Sequence, residues 1–338
     1  MIKSVKIIDT TLRDGMHAVS HSFSPENVAN LVRKLVEAGS NIIELSHGDG
    51  LNGSSIQYGL SPYNERELLA AANKNIGNAK LAAMLIPGIG TVKYLESLQE
   101  YNIKIVRVAT HVTEANAGEQ HIKECKKMGM TTIGFLMMVH MVSAEAILEQ
   151  AKLFESYGAD VVYCADSSGA MLPDDVKKKI GMLKDNLKIP VGFHAHNNLG
   201  LAVGNSLAAI EAGVDFIDTT LRGIGASAGN APHEVMAAVL SKMGIETGED
   251  VNILMDAAED ILAPLMKRPL VIDKYALVIG YAGVYGSFFL HAKRVAEKFG
   301  VDERELLYEL GRQKIIGGQE DKIIEFAYNL SKKIGSGK

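Results

Sequence analysis

One unit recurs along the first three quarters of this chain: an amphipathic helix, a glycine or asparagine at its end, then a short apolar run. It appears as Glu37-Ala-Gly-Ser-Asn-Ile-Ile43, Tyr101-Asn-Ile-Lys-Ile-Val106, Met128-Gly-Met-Thr-Thr-Ile133, Tyr157-Gly-Ala-Asp-Val-Val162 and Glu211-Ala-Gly-Val-Asp-Phe-Ile217. Glycine accepts the left-handed conformation that stops a helix, and the runs that follow have the length and composition of buried parallel strands. Strands are expected at residues 5–9, 41–46, 80–86, 103–109, 131–138, 160–165, 190–194 and 215–219. About eight such units point to an α/β fold, a closed (β/α)8 TIM barrel, rather than an open doubly wound sheet.

After the helix expected near residues 232–243 the strand rhythm stops. From about 246 to 338 the pattern is helical, with segments at 253–265, 273–295, 303–310 and 321–330 and a break at Pro269. The expected organisation is therefore a barrel domain over residues 1–262 and a smaller all-helical C-terminal domain over 263–338, which a chain of 338 residues can accommodate. The uncharged stretch Gly280-Tyr-Ala-Gly-Val-Tyr-Gly-Ser-Phe-Phe-Leu290 reads either as a surface buried against the barrel mouth or a partner, or as an internal helix. The tail 335–338 is expected to fray.

A formal net charge of -5 and no basic run argue against nucleic acid or an acidic membrane surface as partners. The two cysteines, Cys125 and Cys164, support neither a disulfide framework nor a zinc cluster, as in a reduced, cytoplasmic protein. The apolar stretches around 133–142 and 279–290 are too short to span a bilayer, and the N-terminus has no apolar signal core.

Polar residues fall at the expected strand ends, where a barrel carries its chemistry: Asp9, Arg13, Asp14, His17, Ser46, His47, Thr110, His111, Asp166, Ser167, His194, His196, Asp218 and Thr219. In Pro190-Val-Gly-Phe-His-Ala-His-Asn-Asn198 the two histidines are spaced i, i+2, so they face the same side of a strand and can share one metal ion. The spacing alone also permits a satisfied core pair. With Asp14 as an oxygen donor the pair becomes a facial triad open to water and a bidentate substrate, suited to Mn²⁺ or Mg²⁺, with Fe²⁺, Co²⁺ or Zn²⁺ competing. Such an ion binds the carboxylate and ketone oxygens of a 2-oxo acid and stabilises an enolate, which points to carbon–carbon lyase or condensation chemistry.

Arg13 can neutralise the enolate, or form an ion pair with Asp9 or Glu44. His17 can accept a hydroxyl proton near neutral pH, or be a surface-loop histidine. Ser167 can bind a substrate carboxylate, or cap a helix. His47, His111, His140 and His233 read as supporting or loop residues. The stretch Gly223-Ile-Gly-Ala-Ser-Ala-Gly-Asn230 resembles a phosphate loop only loosely and reads as a tight turn closing the barrel.

Asp9-Thr-Thr-Leu-Arg-Asp-Gly15, His194-Ala-His-Asn-Asn-Leu-Gly-Leu201 and Gly223-Ile-Gly-Ala-Ser-Ala-Gly-Asn-Ala-Pro-His-Glu234 together resemble the HMG-CoA lyase-like superfamily of metal-dependent barrels. Within it, Gly15-Met-His17, His196-Asn-Asn198 and Gly280-Tyr-Ala-Gly-Val-Tyr285 are similar to the 4-hydroxy-2-oxovalerate aldolase family, over essentially the whole chain. The resemblance implies cleavage of 4-hydroxy-2-oxopentanoate to pyruvate and acetaldehyde through a pyruvate enolate. It implies Mn²⁺, with Mg²⁺ or Co²⁺ as substitutes, on Asp14, His194 and His196, and the enolate on Arg13. It further implies His17 as the base for the 4-hydroxyl, Ser167 against substrate, and Tyr285 reaching in from the helical domain. It also implies an acylating acetaldehyde dehydrogenase partner that receives the aldehyde through a channel. Two positions depart from the family pattern: Gly286, where serine is expected, and Ser168, where glycine is frequent. Two alternatives stand beside this reading. An acyl-CoA condensing enzyme like citramalate or isopropylmalate synthase would release free thiol from acetyl-CoA. A non-catalytic scaffold for a dehydrogenase would show no metal-dependent activity.

Overall fold

The computed structural model describes residues 4–286, 288–316 and 319–336, so Ser287 of the uncharged stretch and Gly337 and Lys338 of the tail lie outside the described residues. Eight parallel strands close into a barrel in sequence order: β1 (Lys6–Leu12), β2 (Ile42–Leu45), β3 (Lys80–Leu85), β4 (Ile103–His111), β5 (Thr131–Met137), β6 (Val161–Asp166), β7 (Val191–Ala195) and β8 (Phe216–Thr219). β1 pairs with both β2 and β8, which completes the closure. Outside it run α1 (Pro25–Glu37), α2 (Glu65–Asn75), α3 (Val92–Glu96), α4 (Glu119–Lys127), α5 (Ala144–Tyr157), α6 (Pro173–Asn186), α7 (Ala202–Glu211) and α8 (His233–Lys242).

The helix starts and stops follow local chemistry. Ser24 caps α1 by accepting from the Asn27 N–H, and the Asn27 side chain returns a bond to the Ser24 backbone, with Pro25 in the first turn. Gly158 ends α5 at φ 99°, a conformation that a side chain would strain.

Strand alternation divides the core. Ile8, Met84, Ile105, Ile133, Phe135, Val161, Tyr163 and Phe216 fill the barrel lumen, while the other strand faces meet the helices in a larger shell. Gly192 in β7 makes this filling possible, since a Cβ there would lie 2.1 Å from the Tyr163 ring. Buried polar residues also line the strands towards their carboxyl ends, including Glu44, Arg107, His194 and Asp218.

β1 runs three residues beyond its expected end and β4 two, because Thr10, Thr11, Thr110 and His111 continue the ladder despite their polarity. Beyond the barrel, α9 (Val251–Asp256) continues through a wider π turn and a short 3-10 turn at Ala263–Leu265, where Pro264 supplies no N–H for regular helix bonding. Four helices follow: α10 (Lys274–Ala282), α11 (Phe288–Phe299), α12 (Glu303–Arg312) and α13 (Asp321–Ser336). They enclose an apolar cluster of their own, containing Ile279, Val284, Phe288, Leu306, Leu310 and Ile323. The segment expected as one stretch at 273–295 is two helices, because Gly283 at φ 65° closes α10 in the left-handed conformation. Among the described residues no helix is long and apolar enough to cross a membrane.

Candidate metal centre and active site

Arg13 and Asp14 leave the end of β1 in a 3-10 turn over Asp14–His17, and both are buried. His194 lies in β7, with His196 one residue past its end, so the alternation of the strand turns both rings to the same side. Asp14 Oδ2 lies 3.3 Å from His194 Nε2 and 3.7 Å from His196 Nε2, and the two Nε2 atoms are 3.2 Å apart. Adjacent ligands of an octahedral ion with bonds of about 2.1 Å are about 3.0 Å apart, so small side-chain shifts, the largest about 0.7 Å between Asp14 and His196, complete the set. The three donors form a buried divalent-metal site.

The cluster is held by a closed chain of charges through the barrel mouth. Arg13 Nη1 donates to Asp14 Oδ2 at 2.6 Å, and Arg13 Nε donates to Glu44 Oε2 at 2.8 Å. Arg107 donates to the same Glu44 oxygen at 3.0 Å and to Asp218 Oδ2 at 2.6 Å. His194 Nδ1 meets Asp218 Oδ2 at 2.8 Å, which returns the chain to the metal ligands. The guanidinium of Arg107 lies over the neighbouring rings of Phe135 and Tyr163, 4.6 and 4.5 Å from their centroids, where cation–π attraction offsets part of its desolvation.

This network fixes protonation states. Burial pushes the Asp14 carboxyl up, but Arg13 and the two imidazoles more than reverse this and hold it well below the usual carboxylate range. Asp218 is likewise lowered, burial being outweighed by Arg107 and His194. Burial pushes His196 down to about 4, leaving a neutral ring at pH 7. Burial opposes charge on His194, but hydrogen bonds to Asp14 and Asp218 raise it. With Nδ1–H given to Asp218, Nε2 is the atom turned to the cluster, and a metal ion that took the place of its proton would meet the lone pair that a metal-binding imidazole supplies.

The glycine-rich stretch read as a barrel-closing turn also shapes the site. The Ala226 N–H donates to Asp14 Oδ1 at 3.1 Å, and a Cβ on Gly225 would lie 2.7 Å from that oxygen. Asn198 Oδ1 accepts from the Ala228 N–H at 3.1 Å, and the Asn198 amide donates to the Ser168 carbonyl at 3.0 Å, tying β6, β7 and this loop together.

The other expected residues surround this centre. His17 ends the turn that begins with Asp14 and is half-buried, and a Cβ on Gly48 would collide with its Nε2 at 2.5 Å. Ser167 follows β6 and accepts from the Met138 N–H at 3.0 Å, which leaves its hydroxyl proton able to donate. Ser168 donates to the Val284 carbonyl at 2.6 Å, and His140 Nε2 donates to the Gly283 carbonyl at 3.0 Å, so the turn after α10 is pinned to the barrel rim. Tyr285 follows that turn and packs on Phe288; burial, with the Asp49 and Asp14 carboxylates, raises its phenol, which stays protonated. Arg13 pairs with Glu44, whereas Asp9 bonds to Thr11 and His233. Sequence reasoning missed Arg107, and weighed Glu44 only as a partner for Arg13.

A closed barrel with a carboxylate and two imidazoles converging at the carboxyl end of its strands defines a metal-centred barrel lyase class. The family described as HMGL-like matches residues 4–261, and a DmpG-like communication domain matches residues 270–332. The chain is 58% identical to 4-hydroxy-2-oxovalerate aldolase of Carboxydothermus hydrogenoformans, over 98% of this chain and 99% of that one. It is 55% identical to the enzyme of the same name from Moorella thermoacetica, over 98% of each. The chain belongs to the 4-hydroxy-2-oxovalerate aldolase family. Among solved structures, the carboxyl transferase domain of Rhizobium etli pyruvate carboxylase with pyruvate and biocytin shares the fold at TM-score 0.81 and 18% identity, covering 98% of this chain and 61% of that one. The HMG-CoA lyase of Brucella melitensis shares it at TM-score 0.68 and 18% identity, covering 79% and 100%.

Proposed function

We propose that this chain cleaves 4-hydroxy-2-oxopentanoate to pyruvate and acetaldehyde, with Asp14, His194 and His196 holding Mn²⁺, and Mg²⁺ or Co²⁺ able to substitute. The observation that carries this reading is the convergence of three donor atoms at 3.2 to 3.7 Å beside Arg13, whose Nη2 is buried without a hydrogen-bond partner. A divalent ion in this cluster supplies Lewis acidity towards the carboxylate and ketone oxygens of a 2-oxo acid.

The residues supply the rest. Arg13, Arg107, Asp14, Glu44 and Asp218 sum to one negative charge, which a divalent ion would reverse within this network, favouring an anionic substrate beside it. Ser167 donates its hydroxyl to the substrate carboxylate, and Tyr285 donates its phenol from the helical region. His17 takes the proton of the 4-hydroxyl, the C3–C4 bond breaks, and C4 leaves as the aldehyde carbonyl. The bonding pair passes into the pyruvate enolate, whose oxygen is neutralised by Arg13 Nη2, an unpartnered donor suited to charge that develops during reaction. Residues 1–262 serve as the catalytic barrel and 263–338 as a helical domain that meets an acylating acetaldehyde dehydrogenase in the cytoplasm; the match of residues 270–332 to a communication domain supports that partner.

Pyruvate release after chelation and Mn²⁺ reconstitution tests the reading. His17→Ala is expected to bind Mn²⁺ as the wild type does while losing about 10²- to 10⁴-fold in cleavage, the range for a positioned acid or base. Normal turnover by that variant removes the base assignment, and free thiol released from acetyl-CoA plus pyruvate makes the enzyme a condensing one.

A further inference from the structure

Beside the metal centre lies a second group of donors that the cleavage reaction does not use as a group. His17, His21 and Asp49 each present one ligand atom, and these atoms all lie within 4.8 Å of one another. His21 is 6% exposed, and its Nδ1 has no hydrogen-bond partner. The Cδ2–Nε2 edge of its ring faces Gly59, so Nδ1 lies on the opposite side. Ser20 and His21 take left-handed backbone conformations, φ 56° and 55°, an unfavourable choice for side chains that places the His21 ring edge-on to His17 at 5.1 Å. His47 stacks on His21 at 3.7 Å and is itself fully engaged, its Nε2 on the Gly59 carbonyl and its Nδ1 accepting the Asp49 N–H. It acts as a wall that fixes the His21 ring. The Asp49 carboxylate lies 3.7 Å from that accepting nitrogen, which offers it no proton at neutral pH.

We propose that His17, His21 and Asp49 form a second, inhibitory site for a divalent transition-metal cation such as Zn²⁺, whose occupation withdraws the His17 lone pair from proton transfer. Two imidazoles and one carboxylate match the three-ligand zinc sites that keep a water in the fourth position. Tetrahedral ligands at about 2.0–2.1 Å stand about 3.4 Å apart, within reach of side-chain rotation from the present spacing. Burial and the neighbouring His17 and His47 rings hold His21 at about 3, so it offers a lone pair without first losing a proton. The inhibitory consequence rests on the reading of His17 as the base; the binding site itself does not.

The test loads the full chain with one equivalent of Mn²⁺, adds Zn²⁺, and measures both metals by mass spectrometry after desalting, alongside pyruvate release. The wild type is expected to retain Mn²⁺, take up one equivalent of Zn²⁺ and lose at least tenfold in turnover. Asp49→Asn and His21→Asn are expected to remain active with Mn²⁺, to bind no second equivalent, and to need at least tenfold more Zn²⁺ for the same inhibition. Failure of the wild type to take up a second equivalent overturns the proposal, as does equal inhibition of both variants or Zn²⁺ uptake matched by Mn²⁺ loss. Uptake of the second equivalent by the wild type without inhibition keeps the site and removes the role of His17 as base.

Discussion

Asp218→Asn tests whether the charge of Asp218 strengthens the metal-binding imidazole. Asp218 Oδ2 receives two bonds, from Arg107 at 2.6 Å and from His194 Nδ1 at 2.8 Å. Both bonds end on one oxygen and Asp218 Oδ1 has no hydrogen-bond partner, so an asparagine seats its single oxygen in the place of Oδ2, keeps both bonds and loses the charge. An uncharged acceptor holds the Nδ1–H less strongly and makes the ring a weaker donor at Nε2, the atom that lies 3.3 Å from Asp14 Oδ2 and is needed as a ligand. Mutation of such a supporting partner weakens metal binding by about 10- to 100-fold, equivalent to about 1.4–2.7 kcal/mol. The substitution also strips Arg107 of one of its two carboxylates, a loss that for buried pairs reaches about 3–5 kcal/mol of stability. Calorimetric titration of chelated protein with Mn²⁺, below the unfolding transition of the variant, should show the weaker affinity, with turnover largely recovered at saturating metal. A folded Asp218→Asn protein that binds Mn²⁺ within twofold of wild type would refute the charge argument.

Three further outcomes are expected. Gly225→Ala places a Cβ 2.2 Å from the Asn230 amide and 2.7 Å from Asp14 Oδ1, so it should displace the carboxylate and weaken Mn²⁺ binding by about tenfold or more, read by the same titration. Gly192→Ala drives a methyl group into the Tyr163 ring, and urea unfolding should show a loss of about 1–3 kcal/mol or more, the range for overpacked cores. His233 lies between Asp9 and Glu249 at 2.8 and 2.9 Å; burial opposes its charge, but the two carboxylates raise it up to about 10. A raised value means stabilisation that is complete below the ordinary imidazole value of about 6.5 and lost as pH climbs towards the folded value. Stability of the wild type relative to His233→Gln should therefore fall between pH 7 and 10, by up to about 1.4 kcal/mol per pH unit.

The ligands were legible because two imidazoles at i, i+2 at a strand end signal a shared face without any knowledge of the partner strand. The charges behind them were not. Arg107 sits within Ile103-Lys-Ile-Val-Arg-Val108, where it and Lys104 read alike as cations in an apolar run and neither carries a mark of its counterions. Those counterions come from β2 and β8, 63 and 111 residues away, and only barrel closure brings them within bonding distance. The loop at 223–230 was legible as a turn, but its role in seating Asp14 depends on a backbone amide 212 residues from the carboxylate. Strand order was readable from the helix-glycine-strand rhythm, whereas the ends of β1 and β4 were obscured by threonines, which suit a strand but also read as loop polarity. The division of 273–295 turned on Gly283, whose left-handed cap is indistinguishable in sequence from a tolerated glycine within a helix.

The most direct test of a metal-centred aldolase at this rim is the anomalous scattering of Mn²⁺ in crystals of the active enzyme. A single strong peak within about 2.0–2.3 Å of Asp14 Oδ2, His194 Nε2 and His196 Nε2 is the predicted result. A peak elsewhere, or no peak in crystals of enzyme that still releases pyruvate, would contradict it.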